Sequence, residues 1–589
     1  MERVYSEISE DNVDLVVAIA PTSYGKTAAS PWIWKRARSD SVAGGLIHVA
    51  PLRSLVWKAY MGFFKPCGGR LQAYGVEASL KSPYFLSSLV ITTLDSFFWN
   101  LYRVPVAEAV KVIKGVSMGH YYPALAAVLS SIVVFDEAHM YLWEEGSRGN
   151  RSFSIEASLA TMAALASTGV PVIVETATLS LSALGMLAWK LRGLGAAMSV
   201  KALKTPSKSG SCKYINRLSG ELGQQGVRTE GVVDKEWEDE RLVKWKTSVR
   251  RSWSDALREV TDYASTGPVL VIANTVSEAV SLYYKLQDKV SRILLIHGRL
   301  SSKDRNGAEN RIKEIESKGG VIVATQVIEA GIDVNSMAVY TAAAPLENLA
   351  QRAGRSCRRG KILEKCKREG GHVVIIADAK PGPYIDIDVE SSVKLLKEEL
   401  NRGREIDWRA TCDHDGFISY ASLIAEKTGT AKVDFVLLDI LVRYLRSDAQ
   451  PWVLLDYLDE KGVCGLARNS LMAEVDVGNS TVVVSLDWLL RNAQRVLEMR
   501  ENGPVLVAES VNGSVVETVA SSLWSAWKAK DGDISCTRLL RSLLRDIENV
   551  TSGAIVASYK FKGRHDAYVE GQGLLLPEER PRERQGEPL

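Results

Sequence analysis

Gly25-Lys26-Thr27 follows an apolar run of strand length, Leu15-Val-Val-Ala-Ile19, and no other feature limits the fold of this chain as strongly. Backbone N–H groups gathered between a buried strand and a helix N-terminus form a cradle for phosphate. Such a cradle requires a strand–loop–helix unit, and so an α/β architecture. The loop reads Pro21-Thr22-Ser23-Tyr24-Gly25-Lys26-Thr27. Lys26 would reach the β- and γ-phosphates of a nucleotide, and Thr27 would ligate Mg²⁺. Two positions depart from the strict pattern, Ala20 and Ser23. Both residues are small, so a phosphate can still approach the backbone, although Ser23 resists positive φ as glycine does not. The alternative is an ordinary strand-to-helix turn with the same spelling.

A chain of 589 residues is too long for one core. Short apolar runs recur along it, separated by stretches of helical composition, and that alternation predicts parallel sheets wrapped by helices. In the first 200 residues the runs Leu46-Ile-His-Val-Ala, Leu89-Val-Ile-Thr, Ile132-Val-Val-Phe and Val170-Pro-Val-Ile-Val lead into Pro51-Leu-Arg53, Thr93, Asp136-Glu137-Ala-His139 and Thr176-Ala-Thr178. The pattern then returns without a phosphate loop. Val269-Leu-Val-Ile precedes Asn274-Thr275, Ile293-Leu-Leu-Ile precedes His297-Gly298-Arg299, and Val321-Ile-Val-Ala precedes Thr325. Ala338-Val-Tyr-Thr leads on to Gln351-Arg-Ala-Gly-Arg355, and His372-Val-Val-Ile-Ile reads as a further strand. Polar residues at the carboxyl ends of parallel strands are where open α/β sheets bind ligands. The expected fold class is therefore α/β, with two tandem parallel-sheet domains and a mixed C-terminal accessory domain. The expected boundaries are 1–204 for the first domain, 205–255 for a linker or insertion, 256–385 for the second, 386–575 for the accessory domain and 576–589 for a disordered tail.

Asp136 and Glu137 after a buried run are costly unless they act. Asp136 would hold Mg²⁺, and Glu137 would position and deprotonate an attacking water. Arg352, Arg355 and Arg358 are spaced to lie near one side of a helix, and Arg355 and Arg358 suit fingers that reach a nucleotide across a cleft. Pro51, Arg53, Thr93, Asn274, Thr275, His297, Gly298, Arg299 and Thr325 form a row of small polar and basic groups suited to sugar-phosphate contacts.

Net charge is +3, so a polyanion must be met by local patches and not by a global field. Seven cysteines without a CxxC pair suggest neither a zinc ribbon nor a disulfide framework, and a reducing cytoplasm is the expected location. Glu2, Glu7, Glu10 and Asp11 argue against a signal peptide. The uncharged run Gly115–Phe135 contains His120 and Pro123 and enters Asp136-Glu137, so a helix followed by a core strand is expected there, with no membrane partner. Two HD dipeptides, His414-Asp415 and His565-Asp566, lack companion histidines and read as solvated loop residues before metal sites.

The ordered set "APTSYGKT", "APLRSLV", "TTLDSF", "DEAH", "TATLS", "ANTVSEA", "LIHGRLSSKDR", "VATQVIEAGIDVN" and "QRAGRSCRRG" resembles superfamily 2 DExH-box helicases over roughly residues 10–380. The last two stretches look most like the CRISPR-associated helicase of type I interference systems. The resemblance implies two RecA-like domains, ATP and Mg²⁺ as cofactors, and 3′-to-5′ movement on single-stranded DNA at an R-loop opened by a guide-RNA surveillance complex. It places ATP-site roles on Lys26, Thr27, Asp136, Glu137, Gly331, Asp333, Gln351, Arg355 and Arg358. Many members carry an N-terminal HD nuclease domain. Here the phosphate loop begins near residue 20, which resembles the split form whose HD-type nuclease is a separate polypeptide. Members usually read adenine with a Gln upstream of the loop, whereas the first Gln here is Gln72. An RNA or DNA-repair helicase outside CRISPR, and a degenerate ATPase acting as a nuclease-recruiting scaffold, are the alternatives.

Overall fold

The computed structural model describes residues 1–580 apart from 22–23, 74–77, 106–110, 113–115, 143–145, 148–149, 152–153, 178, 210–211, 242, 330–331, 381, 385, 427–432, 462–465, 468–470, 479, 511–514, 530–535 and 552–555. Thr22, Ser23 and Gly331 therefore lie outside the described residues.

The first half of the chain builds an eight-stranded, all-parallel sheet. Its strands are β1 (Leu15–Ile19), β2 (Gly45–Ala50), β3 (Arg70–Gln72), β4 (Leu89–Thr93), β5 (Ser131–Phe135), β6 (Val172–Thr176), β7 (Met198–Leu203) and β8 (Arg228–Val232). Their order is β8-β7-β1-β6-β5-β2-β4-β3, which places the phosphate-loop strand β1 centrally. Every residue of β1, β4, β5 and β6 is buried, as parallel strands covered on both faces require. Helix α1 (Glu2–Ser9) packs Val4, Tyr5 and Ile8 into the same core as Val16 and Ala18 of β1.

A second all-parallel sheet holds β9 (Trp245–Arg250), β10 (Pro268–Ile272), β11 (Ile293–Ile296), β12 (Gly320–Ala324), β13 (Ala338–Ala342) and β14 (Gly371–Ile376), in the order β9-β14-β13-β10-β12-β11. Helices α2 (Ser302–Lys318) and α3 (Leu346–Ala353) flank it. The segment expected as a linker, 205–255, instead supplies an edge strand to each sheet, β8 to the first and β9 to the second. Edge strands are half solvated and carry polar residues, so the apolar-run signal misses them. The accessory region pairs β15 (Met472–Asp476), β16 (Thr481–Ser485), β17 (Met499–Arg500), β18 (Gly503–Ser510), β19 (Val515–Val519) and β20 (Val556–Lys562) in one mixed sheet with its own apolar core. The expected amphipathic helix over 433–446 is α4 (Phe435–Leu445), capped by Asp434, which accepts from the Leu437 N–H at 3.0 Å.

The cysteine reading needs correction. Cys212 pairs with Cys412 and Cys357 with Cys366, with Cα separations of 4.3 and 5.8 Å. One pair is 200 residues apart in sequence and the other nine, so no short motif announced them. Cysteine usage therefore no longer argues for a reducing compartment. No helix among the described residues is long and apolar enough to cross a membrane.

Candidate nucleotide site

The loop after β1, the acid pair after β5 and the end of β6 converge at the carboxyl edge of the first sheet. Thr27 Oγ1 donates to Asp136 Oδ2 at 2.7 Å, so the two proposed Mg²⁺ ligands already touch. His48 of β2 supports the same oxygen from 3.3 Å through Nε2, while its Nδ1 lies 2.9 Å from Ser30 Oγ. The other oxygen, Oδ1, accepts from the Glu137 N–H at 2.8 Å. Burial alone would raise the Asp136 carboxyl, but His48, Thr27 and Lys26 outweigh it and hold the carboxyl below its ordinary range. A metal-holding carboxylate must be ionised, so these neighbours suit the role.

Glu137 sits at φ 49° and ψ 45°, a left-handed conformation that a glutamate adopts at a cost. Its Oε2 is buried without a hydrogen bond and lies 3.5 Å from the ring of His139. Burial lowers the His139 pKa and keeps that ring neutral, and its Nδ1 lies 3.2 Å from Thr176 Oγ1. The carboxylate thus keeps an open acceptor beside the loop, as a base for water needs. Lys26, itself buried, donates to the carbonyls of Ala20 and Pro21 at 2.9 and 3.4 Å, inside the cradle. Gly25 takes φ 91°, a conformation a side chain would strain. Tyr24 turns away from the cradle, its hydroxyl donating to Asp234 at 2.9 Å.

The second sheet meets this edge through its arginines. The expected helix placement is corrected here, because α3 ends at Ala353, and Arg355 and Arg358 lie in the turn beyond it. Arg352 is fully buried and spent within its own domain, on Glu329 at 2.7 Å, Thr341 at 2.8 Å, Asn274 at 3.0 Å and Tyr384 at 2.9 Å. Arg355 is held by the carbonyls of Glu329 and Ile332, its Nε makes no hydrogen bond, and it lies within the field of Glu137. Arg358 binds Asp333 at 2.6 Å, and Lys58 of the first half reaches the same carboxylate at 3.3 Å, bridging the two halves. Burial would raise Asp333, but Arg358, Lys58 and Arg359 push it down to about 2. The Gln351 carboxamide is buried with neither polar atom bonded.

The row expected to contact nucleic acid is only partly available. Asn274 is buried and donates to the carbonyls of Ala343 and Lys380 at 2.8 and 2.9 Å, so it braces the fold. His297 and Arg299 are covered by residues 567–580. His297 Nε2 meets the Gln572 carbonyl at 2.6 Å, and Arg299 forms a two-pronged pair with Glu579 at 2.8 and 2.7 Å. Burial, with Arg299 nearby, pushes the His297 pKa down to about 3. Sequence local to 297–299 cannot announce a partner nearly 300 residues away. Thr93 and Thr275 cap helices, accepting from the N–H groups of Ser96 and Glu278, and Thr325 is buried at the end of β12. Pro51 and Arg53 stand at the end of β2, and Gly298 accepts from Arg305 at 3.3 Å. Of the HD dipeptides, His414 is bonded to Asp407 at 2.9 Å and Asp566 to Arg564 at 2.9 Å.

Because the side chains of Arg299 and Glu579 are only 11% and 5% exposed, removing one leaves the other largely desolvated and unpaired. Glu579→Ala should destabilise by roughly 3–5 kcal/mol, whereas Arg299→Met with Glu579→Met should cost much less. Urea midpoints of the three proteins check this.

Sequence reasoning missed Glu175. It lies on β6 beside Ala18 of β1, fully buried, with neither carboxyl oxygen hydrogen-bonded. Burial first, then Asp136 and Glu137, raise its pKa well above the ordinary value. Below the unfolded pKa this acid is neutral in both states. As pH rises above it, the unfolded chain ionises and the folded state loses stability by comparison. Glu175→Gln should therefore melt above wild type at pH 8, and the gap should close toward pH 4. Melting curves across that range test it. The glutamate inside the run Val-Ile-Val-Glu-Thr was the available signal, as was His48 inside Leu-Ile-His-Val-Ala.

A family model described as "CRISPR-associated nuclease/helicase Cas3, C-terminal" matches residues 265–361. The putative CRISPR-associated nuclease/helicase Cas3 of Methanocaldococcus jannaschii is 25% identical over 328 residues, 54% of this chain and 38% of that protein. The CRISPR-associated helicase Cas3 of Thermoproteus tenax is 24% identical over 420 residues, 68% of this chain and 62% of that protein. The chain thus spans less than two thirds of the length of either relative. The crystal structure of T. fusca Cas3 with AMPPNP superposes with a TM-score of 0.54 at 16% identity, covering 83% of this chain and 64% of that one. At that identity the likeness concerns the fold, tandem RecA-like sheets with an accessory region.

Proposed function

We propose that this chain, a Cas3-type superfamily 2 helicase by its motifs, its two-sheet core and its relatives, hydrolyses ATP to move 3′-to-5′ along single-stranded DNA. One observation carries the reading: Thr27 and Asp136 touch beneath the loop, Glu137 keeps an open carboxylate beside them, and Arg355 of the other sheet lies within its field. Mg²⁺ would be held by Thr27 and Asp136 and would neutralise the phosphates. Glu137 would take the proton of the attacking water. Lys26 would exchange the Ala20 and Pro21 carbonyls for phosphate oxygens. Arg355 would meet charge that develops as the phosphoryl group transfers, so turnover follows closure of the two halves. Asp333 holds Arg358 and Lys58 in register across that closure.

The substrate we assign is the displaced strand of an R-loop opened by a guide-RNA surveillance complex, inside the cytoplasm. Strand cleavage we assign to a separate HD-type nuclease, since the HD dipeptides of this chain are engaged with Asp407 and Arg564. The test compares ATP turnover alone, with single-stranded DNA and with single-stranded RNA of the same length. Stimulation by DNA well above RNA is expected. Equal or greater stimulation by RNA would favour an RNA helicase, and turnover indifferent to both would favour the scaffold reading.

A further inference from the structure

The turn that carries Arg355 is gripped from outside its own sheet. Arg409, nearly buried, donates from one guanidinium nitrogen to the carbonyls of Ser356 and Cys357 at 2.5 and 2.6 Å. These are the two residues directly after Arg355. Cys357 takes φ 55°, a left-handed conformation that persists only where its surroundings hold it. The Arg409 guanidinium lies 5.5 Å from the centre of the Trp245 ring of β9, and the Trp408 indole donates to Thr247 of the same strand at 3.0 Å. This stretch of chain thus rides on the second half.

Two residues further on, it belongs to the first half. Thr411 Oγ1 accepts from the Thr205 N–H at 2.9 Å and donates to the carbonyl of Leu203, the last residue of β7, at 2.6 Å. The N–H groups of Thr411 and Cys412 both donate to the Thr205 carbonyl at 2.9 Å, and Cys412 is bonded to Cys212. The Tyr420 hydroxyl donates to the Ala177 carbonyl at 3.0 Å, just beyond Thr176, which touches His139 beside Glu137. Two residues of extended chain span about 7 Å. The halves therefore separate here by no more than that slack unless one set of bonds breaks, and any movement between them pulls on the turn.

We propose that Arg409 is a positioning residue for ATP hydrolysis: it ties the turn bearing Arg355 to a strap anchored on the first sheet, and so sets where the guanidinium of Arg355 arrives as the halves close. The proposal rests on Arg355 acting as the finger described above. Arg409 acts through Arg355, so its effect must vanish when that side chain is absent.

The test is a double-mutant cycle in ATP turnover with single-stranded DNA present. Arg409→Met keeps a stem over Trp245 and removes the donors. It should lower kcat by about 10–100-fold, the scale of a small misplacement in an active site, with KM for ATP nearly unchanged. Arg409→Lys should restore most of the rate, because both bonds come from one nitrogen and an ammonium carries three donors. In Arg355→Ala protein, adding Arg409→Met should change kcat by less than about twofold. Melting curves check that each variant is folded, and Arg409→Gln, too short to reach the carbonyls, replaces the methionine variant if that one is not. Wild-type kcat in the folded Arg409 variant would overturn the proposal, as would a rise in KM at unchanged kcat. The same fold-loss with and without Arg355 would also overturn it, and would make Arg409 a brace of the fold. A loss at Arg355 with none at Arg409 defeats the strap and leaves the finger standing. Wild-type kcat in Arg355→Ala would remove the finger, and the proposal with it.

Discussion

Glu137→Gln should bind ATP as wild type does and turn it over about 10²–10⁴-fold more slowly, the usual worth of a positioned general base. The substitution keeps the shape of the side chain. It leaves Asp136 with Thr27, His48 and the backbone N–H of residue 137, so the metal cradle stays intact. What it removes is the buried Oε2 acceptor, which has no hydrogen bond to lose. A neutral amide beside His139 should also relax the pKa of that ring further downward, because Glu137 is the charge that raises it most. Single-turnover hydrolysis and nucleotide binding, measured on the same preparation, separate the two effects. Wild-type turnover in the variant would remove Glu137 from the chemistry.

Arg355→Ala should lose on the order of 10³-fold in rate, the range found for arginine fingers, with a much smaller loss in ATP affinity. In the proposed mechanism the guanidinium stays with the second half and would meet the phosphoryl group only as the cleft closes. Its present hydrogen-bond partners are two carbonyls, of Glu329 and Ile332, while the carboxylates of Glu137, Asp333 and Glu329 act on it through their fields. Arg352→Ala should behave differently. That guanidinium is the hub of a buried network with Glu329, Thr341, Asn274 and Tyr384, so its loss should unfold the second domain before it slows chemistry. Comparing kcat, KM and melting temperature of the two variants distinguishes a finger from a brace. Equal losses of affinity and rate in a folded Arg355→Ala would make it a ground-state contact.

The contrast between these neighbouring arginines shows where sequence reading succeeds and stops. Apolar runs such as Leu15–Ile19 and Ile132–Phe135 announced central strands, because buried parallel strands tolerate little else. The candidate residues at their ends stood out for the same reason: Lys26, Asp136 and Glu137 lie where an apolar run stops. Strands β7, β8 and β9 were not legible. β8 and β9 are edges with polar residues, and Lys201 inside β7 is neutralised by Glu7, far away along the chain. Long-range partners also decided the fate of Arg299 and His297, which looked like nucleic-acid contacts until residues 567–580 closed over them. Spacing alone could not tell Arg352 from Arg355, because the helix they were expected to share ends between them.

The central claim is that hydrolysis at the shared site moves the protein along a DNA strand. Streptavidin displacement from biotinylated single-stranded DNA tests it most directly, with biotin placed at either the 5′ or the 3′ end. A 3′-to-5′ motor that consumes ATP should clear streptavidin from the 5′ end in the presence of ATP and Mg²⁺. It should leave the 3′ end occupied, and Glu137→Gln should clear neither. ATP turnover that continues with DNA bound while streptavidin stays at both ends would contradict the claim.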